Sequence, residues 1–134
     1  MEGVMKLALD ISPTTVLGLM RGPISDARIA YPDVLHVEVR DANGALWRLA
    51  TQDAEWSPAD PARLLGRSIE DAEVMEGGSL CCRLSDGTAL YIEADATAED
   101  GVPYWELISP DGIVLQFGPG ARWQISSADE PLRP

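Results

Sequence analysis

"VLHVEVRDANGALWRLA", residues 34 to 50, decides the fold. Leu35, Val37 and Val39 alternate with His36, Glu38 and Arg40, and a period of two puts alternate side chains on opposite faces of a strand. The apolar three are therefore expected to face a core and the polar three to face out. Asn43-Gly44 supplies residues that tolerate positive φ, as a tight hairpin turn requires, and "ALWRLA" is the return strand.

The pattern recurs 45 residues on. "ISDARI" (24 to 29) is echoed by "IEDAEV" (69 to 74), Leu35, Val37 and Val39 fall on Leu80, Cys82 and Leu84, and Asp41 falls on Asp86. A shorter turn, Asp86-Gly87, leads into "TALYIE", which places Trp47 and Tyr91 in near-equivalent positions. Strand, turn and strand matching at one offset point to two copies of a three-strand unit, over residues 24–56 and 69–100.

Between the copies "EWSPADPARLLGRS" is a connector, in which Asp60 is suited to cap, Pro61 to begin and Gly66 to end a short helix over Ala62–Leu65. Residues 1–23 contain enough Val, Leu and Met for one or two further strands or a short helix, punctuated by Pro13 and Gly22-Pro23. After the second copy, "EADATAEDG" is an acidic loop. "PYWELI", Ser109–Gly112, "IVLQF", Gly118–Gly120 and "ARWQI" then read as a three-strand meander over residues 103–127, with Ala121, Trp123 and Ile125 sharing a face. Residues 128–134 read as a loose tail. The expectation is one all-β domain over residues 1–134: about ten antiparallel strands in a sandwich or partly open barrel, with one short connector helix.

Composition narrows the function. At 46% hydrophobic the chain is far from a disordered composition. Its net charge of −12 is lopsided: residues 1–67 hold seven basic and nine acidic residues, for −2, whereas residues 68–134 hold three and thirteen, for −10. Such a field opposes nucleic acid and anionic membranes and favours a basic protein. No apolar stretch approaches the roughly 20 residues of a membrane span. The opening "MEGVMKLALDISP" lacks the pattern of a signal peptide, so the cytosol is expected. Cys81 and Cys82, adjacent and pointing to opposite faces, suit no disulfide framework.

Catalytic inventory is thin. His36 is the only histidine and sits on the polar face of its strand. No His/Cys spacing suits zinc, and "EADATAEDG" lacks the central glycine and final glutamate of a helix-loop-helix calcium site. Pro119 removes a donor from Gly118–Gly120, which therefore reads as a turn, not a phosphate cradle. No catalytic residue, metal or cofactor is expected.

The residues "CRLSDGTALYIEAD", "YWELISPDG" and "FGPGARWQI", with Asp86, Gly87, Trp105, Glu106, Leu107, Asp111, Gly112, Pro119 and Gly120 as the matching positions, resemble small bacterial β-proteins of immunity-protein type over residues 68–126. The likeness departs at Gly118–Ala121, where the family usually has Pro-Gly-Gly. It implies an all-β fold, no catalytic residues and an association with toxins.

The expected function is a non-enzymatic module that binds a basic protein, such as a toxin, through exposed acids: Glu93, Asp95, Glu99 and Asp100 with Glu70, Glu73 and Glu76. Two alternatives follow from the same residues: a homodimer made through strand edges, and a carbohydrate or small-ligand binder using Trp105, Trp123 and Tyr104.

Overall fold

The offset of 45 also governs the backbone pairing. A computed structural model describes residues 13–30, 34–51, 54–75, 78–94, 103–118 and 123–127. In it β1 (Gly22–Ala30) and β2 (Val34–Arg40) pair antiparallel with Ile24 opposite Val39, a bulge, then Asp26 opposite Glu38 and Ala27 opposite Val37. β5 (Ser68–Val74) and β6 (Leu80–Leu84) pair with Ile69 opposite Leu84, a bulge, then Asp71 opposite Arg83 and Ala72 opposite Cys82. Both register and bulge repeat at that offset.

The two hairpins join through their first strands. Pro23 lies opposite Ser68, its own counterpart 45 residues on, and the Ile24 N–H donates to the Arg67 carbonyl at 2.8 Å. An antiparallel ladder has local two-fold symmetry. Here that axis relates one hairpin to the other.

The strands form one open antiparallel sheet in the order β10-β9-β8-β3-β2-β1-β5-β6-β7-β4. The remaining members are β3 (Leu46–Thr51), β4 (Trp56–Ser57), β7 (Ala89–Ile92), β8 (Trp105–Ile108), β9 (Ile113–Phe117) and β10 (Trp123–Ser127). β1 serves both wings, because Gly22 and Pro23 pair with β5 while Ile24 onward pairs with β2. Its first residue must be glycine: φ is +150°, and a Cβ would lie 1.9 Å from the Arg40 carbonyl oxygen.

The sheet curls until its wings touch. The Trp105 indole Nε1 in β8 donates to the Gly78 carbonyl in the β5–β6 turn at 3.3 Å, although four ladder steps separate β8 from β5. Gly78 lies so close to the Phe117 ring of β9 that a Cβ would sit 2.1 Å from it. Leu35, Val37, Val39, Leu80, Cys82 and Leu84 all point into the interior so formed, as their alternation requires. Thr51 is fully buried and satisfied, its Oγ1 accepting from the Leu35 N–H at 2.9 Å.

Several expectations change in detail. Residues 13–23 contribute a helix, α1 (Pro13–Gly18), and the start of β1; Val16, Leu17 and Met20 are buried at the end of the helix and just beyond it. The connector carries a strand as well as its helix, since Trp56 and Ser57 pair with Ile92 and Tyr91. The helix is a 3-10 turn at Pro61–Leu64 with Asp60 Oδ1 accepting from the Ala62 N–H at 3.0 Å, and Leu64 is fully buried beneath it.

Trp47 and Tyr91 are not equivalent. Ala50 lies opposite His36 and Tyr91 opposite Cys81, so the shorter second turn makes Tyr91 the counterpart of Ala50 and Thr88 that of Trp47. Ala121 and the tail 128–134 lie outside the described residues.

Candidate functional site

Of the seven predicted contact acids, Glu70, Glu73 and Glu93 are described and all three are exposed. Glu76, Asp95, Glu99 and Asp100 lie outside the described residues. Glu73 heads a cross-strand row: it lies opposite Cys81, which lies opposite Tyr91, which lies opposite Ser57. Directly opposed residues share a face. The outer surface of β5, β6, β7 and β4 therefore carries a glutamate, a half-buried thiol and a half-buried phenol in line.

Glu93 follows β7 by one residue and extends its ladder, its N–H donating to the Glu55 carbonyl at 2.8 Å. With Trp56 opposite Ile92, this sets Glu55 opposite Glu93. Among the described residues neither has an ion-pair partner, and neither do Glu70 and Glu73. Asp71 differs, with Arg83 at 3.7 Å and Arg21 at 3.9 Å from its oxygens. Sequence reasoning missed Glu55, because only pairing with β7 brings this residue of the first half to Glu93.

Beside these acids runs a groove of about 540 Å³, lined chiefly by Ile29, Ala54, Glu55, Trp56, Tyr91 and Glu93. Ile29 is 48% exposed there. The Trp56 Nε1 is shielded from solvent and has no hydrogen-bond partner among the described residues. A second depression, about 660 Å³, is lined by Leu19, Arg21, Asp41, Trp47 and Pro110 among others. Its best acceptor is committed: Asp41 Oδ1 accepts from the Asn43 and Ala45 N–H groups, and Oδ2 accepts from Trp47 Nε1 at 2.9 Å.

The aromatic platform at Trp105, Tyr104 and Trp123 is overturned by packing. Trp105 and Tyr104 are 0% and 2% exposed, and Trp105 stacks on Phe117 with centroids 6.1 Å apart. Trp123 is half-buried and makes T-shaped contacts with Phe117 and Trp105, ring centroids 4.9 and 5.6 Å apart. Trp105 and Tyr104 close the core between the wings and present no face to a sugar, and Trp123 packs against that core from its edge of the sheet.

His36 lies half-buried between Arg28 and Ala50 on neighbouring strands. Cys82 is fully buried, and burial pushes its thiol pKa well above the ordinary range, so it stays a neutral core side chain. Both cysteines are free. Among the described residues no three His, Cys, Asp or Glu side chains gather as a metal site, and no helix is long and apolar enough to cross a membrane.

No protein-family model, curated protein or solved structure matches the chain.

Proposed function

We propose that the protein is a non-enzymatic binder of a basic protein, of the immunity type that occupies a cytoplasmic bacterial toxin or effector, and that the outer face of β5, β6, β7 and β4 is its contact surface. The observation that carries this reading is the set of exposed glutamates, Glu70, Glu73, Glu55 and Glu93, that have no ion-pair partner among the described residues and lie on the wing built from the more acidic second repeat. Unpaired carboxylates keep their field available to a partner, whereas a carboxylate between two arginines, as at Asp71, has spent it. The predicted Asp95, Glu99 and Asp100 follow Glu93 directly in sequence and extend the same acidic tract.

The repeat fits this reading as the product of duplication, two copies of one three-strand unit joined across the axis at Pro23 and Ser68. The second copy then diverged toward acidity, with one basic and nine acidic residues over 69–100 against three and six over 24–56.

The experiment is affinity capture from the native host with wild-type chain and with a Glu70→Gln/Glu73→Gln/Glu93→Gln variant. Enrichment of one basic protein by the wild type and its loss from the variant support the reading. Equal recovery by both chains, or recovery of no basic protein, rejects it.

A homodimer is a second reading, favoured by β10, whose outer edge is free among the described residues and is five residues long. A monomeric mass by light scattering across a wide concentration range removes it.

A further inference from the structure

We infer that the groove beside the β4–β7 ladder, bounded on its far side by Ile29 of β1, is an anchor pocket for one arginine or lysine side chain of a protein partner. The inference deepens, and rests on, the proposed binding of a basic protein.

Three observations converge on the groove. Glu55 and Glu93 face one another across the last step of the β4–β7 ladder and both line it. Like charges directly opposed across strands repel, and no cation among the described residues relieves this pair. A fold that had no use for these charges would gain by losing one of them.

The second observation is the wall. Trp56 and Tyr91 line the groove together with Ile29 and Ala54, an apolar and aromatic surface beside the two glutamates. Arginine and lysine bury an alkyl stem along apolar surface while their charged head seeks carboxylates and ring faces. The groove offers a site for each part of such a side chain.

The third is a cost accepted by the fold. The Trp56 indole N–H is withdrawn from water without an acceptor among the described residues, whereas the Trp47 and Trp105 indoles both have one. Phenylalanine would fill the position without stranding a donor, but a tryptophan face attracts cations more strongly.

A bare divalent cation or a free amine would use the carboxylates and neglect the apolar wall. The shape of the groove therefore favours a side chain with a stem, presented by the basic protein that the surrounding acids attract.

The test is a titration of the full chain with N-acetyl-arginine amide, followed by NMR at the Trp56 indole N–H, whose signal is identified by its loss in Trp56→Phe. N-acetyl-citrulline amide, which keeps the shape but not the charge, and calcium chloride serve as comparisons. A saturable shift with the arginine compound and none with the citrulline compound is expected. Glu55→Gln/Glu93→Gln should weaken this binding by about tenfold or more and raise the thermal midpoint, whereas Glu70→Gln/Glu73→Gln should leave it unchanged. No shift, an equal response to citrulline, a response to calcium alone, or undiminished binding by the Glu55/Glu93 variant overturns the inference.

Failure of the wider reading looks different. If a captured basic protein binds wild type and Glu55→Gln/Glu93→Gln equally but is lost by Glu70→Gln/Glu73→Gln, the anchor pocket is wrong and the proposed function stands. If arginine amide binds as described and no basic protein is captured, the pocket takes the cation and the proposed function is wrong.

Discussion

Asp41 and Asp86 hold the same place in the two repeats, and each is tied to its own turn. Asp41 Oδ1 accepts from the N–H two residues on, and so does Asp86 Oδ1. The Trp47 indole N–H is the main cause holding the Asp41 carboxyl below its ordinary range, with the Ala45 and Asn43 N–H groups adding to it. Asp86 is held lower still by the hydroxyl and N–H of Thr88 and then by Arg67. Trp47 and Thr88 are counterparts, so one arrangement is built twice with different donors. A carboxyl depressed on folding contributes stability that is complete above the unfolded value near about pH 3.9 and is lost as pH falls through the lower folded value. Wild type should therefore lose stability as pH drops below about 4. Asp86→Asn should be less stable at neutral pH and should flatten that slope; urea midpoints measured from neutral to acid pH check both, and an unchanged slope contradicts the assignment. Gly78 sets the other residue-scale test. Its φ of +96° and the Phe117 ring against its Cα leave no room for a methyl group, so Gly78→Ala should cost about 2–4 kcal/mol by chemical denaturation.

At the scale of elements, what was legible depended on local period and turn chemistry. The β2–β3 and β6–β7 hairpins could be read from alternation and from Asn43-Gly44 and Asp86-Gly87, because both signals lie within a few residues of one another. The capped turn at Asp60–Leu64 was legible for the same reason. β4 was not: two residues carry no period, and Trp56–Ser57 is a strand only because β7 has an edge to offer. The groove at Trp56 was invisible in turn, since it joins Ile29, Glu55 and Glu93 from separate parts of the chain. The tryptophans of the meander left two readings open in the sequence, because a ring suited to stacking a sugar is equally suited to sealing a core, and the contact with Gly78 that favours the core is 27 residues away. Two substitutions probe the elements. Asp60→Ala removes the cap accepted from Ala62 and should cost about 0.5–2 kcal/mol in a urea titration. Cys82→Val copies Val37, its counterpart in the first repeat, into an equivalent buried site and should change stability by less than about 1.5 kcal/mol.

Over the whole molecule, one curled sheet encloses a shared core while its charge is divided unequally. The first repeat, 24–56, holds three basic and six acidic residues and the second, 69–100, one and nine, among them glutamates that nothing in the described structure neutralises. Unpaired surface carboxylates add little to stability, so replacing Glu70, Glu73 and Glu93 by glutamine should not lower the unfolding midpoint, and the loss of Glu93 opposite Glu55 should raise it, while association is altered. Steering by net charge acts on the approach of a partner and is screened by salt, whereas contacts already made are governed more by dissociation. The most direct measurement is the association rate constant for the basic protein captured by the wild-type chain, followed over increasing ionic strength for the wild type and the triple glutamine variant. A rate that falls steeply with salt is expected for the wild type, and both a slower rate and a shallower slope for the variant. A rate indifferent to salt, or the same slope in both proteins, would contradict that expectation.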